Sequence, residues 1–333
     1  MSHLSVLETL PPVRGPMGHA PLRRLHSVRR TTSIDVTWPD GRDGAMHFDS
    51  RGRDIRTGAA AEDVTVVQAD SYTASIGRDR ALLTLEVSPG RAFAATLIGC
   101  RGGGHLRAAL KKALPEDAAR STPLYLLLDD VSGASLIANW AWSRWVDFNA
   151  HPPAHMREMP SMEGVCTGFR PGSSSLNGDG TTRFSDRSQD VTLLPHPDDP
   201  AGWHEMPFTT EVTLRRSRRI DVWVDGLVHI DAMFQDSATK PQGGRAAIHE
   251  YHLTATADPQ SGRILSVEAT PRVLPYVECP GAVLNIHRVK AMRLEALRDE
   301  VPVLLAKTEG CTHLNDALRA LTCVPAMLEE LGA

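Results

Sequence analysis

The chain has 333 residues, of which 41% are hydrophobic and 23% charged, a composition typical of a globular protein rather than a collagen, a coiled coil or a disordered chain. Lys and Arg number 36 against 40 Asp and Glu, and the formal net charge of -4 argues against a nucleic-acid partner. No apolar run reaches the roughly 18 residues of a membrane span, and prolines interrupt residues 1–30 where a leader would need an apolar core. We therefore expect a cytoplasmic protein with no membrane partner.

Five cysteines, an odd number, lie far apart along the chain, at Cys100, Cys166, Cys279, Cys311 and Cys323. A disulfide framework of a secreted domain normally has an even number of cysteines in a short chain. The cysteines are therefore expected to be reduced thiols.

Two stretches of the chain repeat the same short motifs in the same order. Each has a basic pair before an Ile-Asp-Val strand, an Asp-Gly turn, an alternating strand that ends at a proline, and a Gly-Cys element that opens a helix. The matching motifs begin at Ile34 and Ile220, Asp43 and Asp225, Leu83 and Leu265, and Gly99 and Gly310. The pattern predicts an α+β fold of two pseudo-symmetric repeats, each a small antiparallel sheet covered by a C-terminal helix.

The repeat divides the chain into five predicted parts. These are an N-terminal tail (1–28), a first α+β repeat (29–115), a connector (116–150), a segment rich in Pro, Gly, Ser and Met (151–210) and a second α+β repeat that carries the site (211–333). The connector is predicted to hold a strand at Pro123–Leu128 and a helix at Ser132–Trp145. The segment 151–210 is either a disordered linker or a lid that uses the apolar contacts of Met156, Met159, Met162 and Phe169.

Paired arginines open the strands of both repeats, at Arg29-Arg30, Arg215-Arg216 and Arg218-Arg219. Such clusters can bind a carboxylate, but solvated strand ends are the simpler interpretation. We therefore expect these side chains to be exposed.

Groups that can perform chemistry are concentrated in the second repeat. A predicted strand, Ala246–Leu253, carries His249, Glu250 and His252, and we expect Glu250 to orient His249 and raise its pKa. Cys279 and Cys311 each precede a predicted helix, where the helix dipole favours a thiolate.

The residues 216–331 resemble a bacterial domain-of-unknown-function family, number 2889. The resemblance is carried by His249-Glu250, by Pro275-Tyr276 with Cys279, and by Gly310-Cys311-Thr312-His313-Leu314. Glu250 stands where the family pattern has Asp. The resemblance implies a site in the second repeat and brings no established reaction.

These residues predict a cofactor-independent acid–base enzyme, interpreted as a lyase that cleaves a carbon–carbon bond by a retro-aldol step. The predicted catalytic residues are His249, Glu250, Cys279, Cys311 and His313, and the predicted substrate-binding residues are His229, Asp231, Tyr251, His252 and Tyr276. A small aromatic or lipophilic catabolic intermediate is expected in a pocket walled by Trp140, Trp142, Trp145 and Tyr276.

Two alternatives remain open. One is a metal-dependent hydrolase or lyase, with zinc held by His249, Cys279, Cys311 and His313. The other is a non-catalytic module that binds a small molecule or assembles with other chains, with a homodimer as one such assembly. The chain lacks a phosphate-binding loop, a nucleophile elbow and a His-Glu-x-x-His motif, so nucleotide-dependent chemistry is disfavoured.

Overall fold

One antiparallel sheet of nine strands organises the computed structural model, which describes residues 10–148, 161–185 and 187–332. The strands are β1 (Ser27–Thr37), β2 (Met46–Thr57), β3 (Val64–Ile76), β4 (Leu82–Ser88), β5 (Gln189–Val191), β6 (Leu214–Asp225), β7 (Leu227–Thr239), β8 (Arg245–Ala257) and β9 (Ile264–Val273). Their order is β4-β3-β2-β1-β6-β7-β8, and both β9 and the short β5 pair with β8. The strands expected in two small sheets are thus joined through the β1–β6 pair into one sheet.

The Asp-Gly pair between β6 and β7 forms the tight turn that the sequence predicts. Asp225 pairs with Leu227, and Gly226 adopts a φ of 66°, in the left-handed region that favours glycine. The corresponding pair in the first half, Asp43-Gly44, lies instead within the longer connection between β1 and β2.

Six α-helices accompany the sheet in the described residues. They are α1 (Gly104–Ala113), α2 (Pro115–Arg120), α3 (Pro123–Ile137), α4 (Leu297–Leu304), α5 (Thr312–Ala320) and α6 (Val324–Glu329), with longer 3-10 segments at Ala138–Arg144 and Cys279–Val289. The predicted helices after Gly99-Cys100 and Gly310-Cys311 are confirmed as α1 and α5. Within the described ranges, no helix combines the length and the apolar character that a membrane crossing requires.

The predicted strand at Pro123–Leu128 is wrong, because these residues form the first turns of α3. Pro123 occupies the first helical position, where its missing N–H costs nothing, and the Thr122 side chain accepts a hydrogen bond from the backbone N–H of Tyr125. The run is buried along its whole length, and a buried helix and a buried strand give the same continuous apolar pattern.

Two large apolar clusters form the core on the side of the sheet that α3 and α5 cover. One contains Val28, Ile220, Phe234, Tyr251 and Leu318, and the other contains Ile34, Phe48, Tyr72, Leu127 and Ile248. A small third cluster packs Ala20, Leu194 and Trp203 against Met233. Because Met233 and Phe234 are successive strand residues, this third cluster lies on the opposite face of the sheet.

The paired arginines are buried, so the expectation that they are solvated is wrong. Each guanidinium pairs with a buried or half-buried carboxylate, as an uncompensated charge in the interior would be very costly. The pairs are Arg29 with Asp221, Arg30 with Asp54, Arg215 with Asp35, Arg216 with Asp236, Arg218 with Asp130, and Arg219 with Asp221 and Asp231. Arginines at these positions therefore hold the sheet together internally.

The segment 151–210 packs against both faces of the molecule where it is described. Thr167 donates its backbone N–H to the carbonyl of Gly310, and Phe169 contacts Tyr276 with ring centroids 5.5 Å apart. On the other face, Nδ1 of His204 lies 2.8 Å from Oγ1 of Thr31. Met156 and Met159 lie outside the described residues, and the lid stays a prediction.

Candidate functional site

The candidate site begins with three side chains that lie in a row across neighbouring strands. Arg216 on β6 is the cross-strand partner of Asp236 on β7, and Asp236 is in turn the partner of His249 on β8. Cross-strand neighbours on one face of a sheet bring their side chains into contact. Arg216 donates two hydrogen bonds to the Asp236 carboxylate, at 2.8 and 3.0 Å, and Nδ1 of His249 lies 3.3 Å from Oδ2 of Asp236.

His313 joins this row from the first turn of α5, above the sheet. Its Nε2 lies 3.6 Å from the same Oδ2 of Asp236, and its ring stacks on that of His249 with centroids 3.5 Å apart and planes 21° apart. The sequence predicts both histidines as site residues, and the structure brings them together.

Burial controls the electrostatics of this cluster. The pKa of His249 is lowered by burial, which outweighs the nearby Asp236, so the raised pKa expected from the sequence is wrong. Burial, followed by His249, also lowers the pKa of His313 well below its ordinary value. Burial alone would raise the pKa of Asp236, but Arg216 and the contact with His249 hold it well below the usual range. At neutral pH the site therefore contains two neutral imidazoles beside one carboxylate.

One imidazole nitrogen in this cluster has no aligned partner. His249 is only 5% exposed, yet within the described residues its Nδ1 makes no hydrogen bond of good geometry, although Asp236 is near. Buried polar atoms in native proteins are normally satisfied, so an exception calls for an explanation.

An ion-pair network holds Arg216 and α3 around the site. Besides Asp236, Nη1 of Arg216 lies 3.7 Å from Asp130 on α3 and 3.5 Å from Asp316 on α5. The guanidinium packs so closely against α3 that a Cβ at Gly133 would lie 2.0 Å from Nη1 of Arg216. Glycine at this position is what allows Arg216 and α3 to approach.

Glu250 is not the partner of His249. Its carboxylate accepts hydrogen bonds from the backbone N–H of Met17, at 2.6 Å, and from the amide of Gln235, at 2.8 Å, and burial raises its pKa. Successive strand residues point to opposite faces, so Glu250 lies across the sheet from His249. The role expected for Glu250 is filled by Asp236, and the expectation for Glu250 is wrong.

Cys279 and Cys311 are buried thiols that lie close to the Tyr251 side chain. Burial raises the pKa of both thiols, and for Cys311 the amides at the start of α5 offset this only in part. The thiolates expected from the helix N-termini are therefore absent at neutral pH, because the loss of solvation outweighs the helix dipole. The Tyr251 hydroxyl is buried beside the Cys311 thiol, and burial raises its pKa well above the ordinary value.

Of the other predicted substrate-binding residues, His229, Asp231 and His252 lie on the face of the sheet opposite to His249. His252 contacts Asp231 at 2.8 Å, on the same face as Glu250, and His229 stacks on Trp223. Tyr276 packs beside the apolar cluster of the second half and donates a hydrogen bond from its hydroxyl to the carbonyl of Arg183.

The three tryptophans proposed as pocket walls belong to the first half of the molecule. Trp140 and Trp142 pack in or against the apolar cluster that contains Ile34, and Trp145 donates its indole N–H to the carbonyl of Thr239. The structure therefore does not gather them around Tyr276.

Sequence reasoning missed Asp236, the residue that joins the two histidines. A usable signal existed, because Asp236 stands in a mostly apolar strand two residues after Phe234 and shares its face. A carboxylate on the buried face of a strand requires a charged partner. The sequence offers Arg216 on the preceding strand.

Comparison with known proteins bears on this half of the chain. The family model described as "Protein of unknown function (DUF2889)" matches residues 214–326, which confirms the resemblance in the C-terminal part. The matched range includes Arg216, Asp236, His249 and His313. No match was found among the curated proteins or among the solved structures.

Proposed function

We propose that the protein is an acid–base enzyme whose reaction centre is the cluster of Asp236, His249 and His313. The observation that carries this proposal is the convergence of a buried imidazole, that of His249, and a partly buried one, that of His313, on one carboxylate oxygen, at 3.3 and 3.6 Å. Because burial lowers the pKa of both imidazoles, they are neutral at neutral pH, and each has a nitrogen lone pair that can accept a proton.

The reaction we propose is the retro-aldol cleavage of a carbon–carbon bond. A basic nitrogen takes the proton of a substrate hydroxyl, and the O–H electron pair forms a carbonyl. The adjacent carbon–carbon bond then breaks, and its electron pair passes to the neighbouring activated carbon, which takes up a proton. The buried Tyr251 hydroxyl keeps its proton at neutral pH and lies beside Cys311, whose Sγ is 3.9 Å from Nδ1 of His313, as a hydrogen-bond donor for developing negative charge.

The substrate class we propose is a small aromatic or similarly lipophilic catabolic intermediate. The ring of Phe234 lies 6.0 Å from that of His313, and Tyr251 and Leu314 belong to the apolar cluster at the same place. Such surroundings favour an uncharged ring over a phosphate or a polynucleotide. A cytoplasmic location is proposed together with this metabolic role.

We also infer that the sheet arose by duplication of a four-stranded unit. The ion pairs of the two halves support this, since Arg30 with Asp54 in β1 and β2 corresponds to Arg216 with Asp236 in β6 and β7. Arg29 with Asp221 likewise corresponds to Arg215 with Asp35. An alignment of many relatives tests the idea, because independent origins predict no excess similarity between the two stretches.

The test of the proposed activity is a screen for carbonyl products. The purified chain is incubated with aryl-substituted β-hydroxy carbonyl compounds, and released aldehydes or ketones are trapped with a hydrazine reagent. We expect His249→Gln to lower kcat/KM by at least about 100-fold, the size of a general acid–base contribution. His287→Gln, at an exposed histidine, is the matched control and should retain activity.

Full turnover by a folded His249→Gln variant would contradict the proposal. If the wild-type chain bound these compounds but turned over none of them, the protein would be interpreted as a non-catalytic binding module and not as an enzyme.

A further inference from the structure

We infer that Asp236, His249 and His313 bind one divalent transition-metal ion. The inference deepens the proposed function, since it concerns the same site. One ligand atom from each residue lies within 4.8 Å of the others, namely a carboxylate oxygen and two imidazole nitrogens. Three such atoms on one side of a prospective ion are the protein ligands of many catalytic metal centres, which leave a further position open.

The unsatisfied nitrogen of His249 is an independent reason to place an ion here. Nδ1 lies in a residue that is 5% exposed, 3.3 Å from Oδ2 of Asp236, and it lacks an aligned hydrogen bond in the described part of the chain. An orphaned polar atom of this kind typically costs about 1–3 kcal/mol. A cation between Nδ1, Oδ2 and Nε2 of His313 would satisfy all three atoms at once.

The surroundings of the second ring nitrogen of His313, Nδ1, also suit a histidine that binds a metal. A histidine that binds a metal through one nitrogen usually donates its other N–H to a nearby acceptor, which fixes the ring. With Nε2 directed at Asp236, Nδ1 of His313 lies 3.4 Å from Oγ1 of Thr312 and 3.9 Å from Sγ of Cys311. Cys311 thus supports the ring from the side away from Asp236, and it is not one of the three ligands.

Charged neighbours hold the Asp236 carboxylate in place. Arg216 orients Asp236, but Nη1 of Arg216 also lies 3.7 Å from Asp130 and 3.5 Å from Asp316. Arg107 and Arg319 also pair with Asp316, so the network holds its carboxylates in place on every side.

The ligand set indicates the class of metal. Two imidazoles and one carboxylate suit zinc and iron(II), whereas magnesium and calcium prefer oxygen ligands alone. The sequence-based set with Cys279 and Cys311 as zinc ligands is therefore replaced by one that contains Asp236. With the two imidazoles as its ligands, a metal in this place would take over the role of the base, because it would bind the substrate oxygen and favour loss of its proton.

The experiment measures metal in the full chain. Tag-free protein is purified, analysed by elemental mass spectrometry, stripped with a chelator and titrated with zinc, or with cobalt(II) and visible absorption. We expect about one ion per chain, and at least about 100-fold weaker binding in His313→Gln and in His249→Gln, since even residues that only support ligands change metal affinity 10–100-fold. His287→Gln, at an exposed histidine, is the matched control and should bind metal normally.

Several outcomes decide the question. Because a buried variant can unfold, the wild-type chain gives a second readout: zinc should raise its Tm, and the stripped chain should melt at a lower temperature. Stripped protein that binds no zinc, or zinc binding unchanged in both folded histidine variants, overturns the metal site. Turnover by a chain that binds no zinc overturns the metal site while the acid–base enzyme stands. If the chain binds metal but turns over none of the compounds, the metal site stands and the proposed lyase activity is wrong.

Discussion

Two rows of side chains cross the sheet in the same way, one in each half, and differ at their last member. In the first half, Arg30 on β1 pairs with Asp54 on β2, whose neighbour on β3 is Gln68. In the second half, the row runs from Arg216 through Asp236 to His249. The ladder of pairs shifts register directly after Asp54 and directly after Asp236, so the two rows match in backbone geometry as well.

The comparison separates a structural role from a chemical one. Both arginines are almost completely buried and both donate two hydrogen bonds to their carboxylate. Gln68 turns its amide to Asp70, whereas His249 stacks on a second histidine. The Arg–Asp pair therefore belongs to the scaffold, and the histidines make one copy of it a candidate reaction centre.

The largest expected effect comes from removing the charge of either carboxylate. Asp54→Asn and Asp236→Asn each remove the charge of the carboxylate that accepts two hydrogen bonds from a buried guanidinium, and breaking such a buried pair typically costs about 3–5 kcal/mol. Urea unfolding of the two variants should show losses of similar size. Only Asp236→Asn should also abolish activity per folded molecule. If Asp54→Asn abolished activity to the same degree, the assignment of Asp54 to the scaffold and of Asp236 to the reaction centre would be wrong.

A second buried histidine, His204, differs from His249 in its hydrogen bonds. His204 has both ring nitrogens engaged, with Ser33 at 2.7 Å and Thr31 at 2.8 Å, unlike His249 with its unsatisfied nitrogen. Burial, followed by Arg53, Arg215 and Arg51, lowers the pKa of His204 to about 3. This residue is thus a satisfied structural histidine.

The pH dependence of stability follows from that shift. Because the folded pKa lies below the unfolded value of about 6.5, the unfolded chain binds the proton first, and stability falls as the pH drops below about 6.5 towards 3. The contribution of His204 between pH 7 and pH 4 is about 3 kcal/mol. His204→Gln should remove this part of the slope in urea unfolding series. An unchanged slope would mean that His204 titrates normally.

A smaller effect is expected at Gly133, and its sign is the reverse of the usual one. Glycine to alanine within a helix normally stabilises it by up to about 1 kcal/mol. Here the added Cβ would lie 2.0 Å from Arg216 and 2.8 Å from Asp316. Gly133→Ala should therefore destabilise the protein by about 1–3 kcal/mol, as overpacking does. Gly104→Ala is the control, because a Cβ there meets nothing within 4 Å; equal effects would disprove the close approach of Arg216.

The sequence predicts local structure well and pairing across the sheet poorly. The turn at Asp225-Gly226 and the helices after the Gly-Cys motifs follow from local rules, and so does the choice of His249 and His313. The burial of the arginines was missed because arginine is rarely buried without a partner, and partners on other strands are set only by register. The same reason explains why Asp236 was missed and Glu250 chosen. Glu250 is next to His249 in the chain, but adjacent strand residues face opposite ways.

The smallest effect on activity is expected at the thiol beside the histidines. Cys311 is buried and its pKa is raised by burial, so it does not serve as a thiolate nucleophile. Cys311→Ala should lower kcat/KM by less than about tenfold, far less than the roughly 100-fold or greater loss expected for His249→Gln. Cys323→Ala, at a fully buried thiol packed near Met327, is the control for lost packing. If a folded Cys311→Ala chain were as inactive as His249→Gln, the thiol would be the better candidate for a nucleophile, and a covalent mechanism would replace the acid–base one.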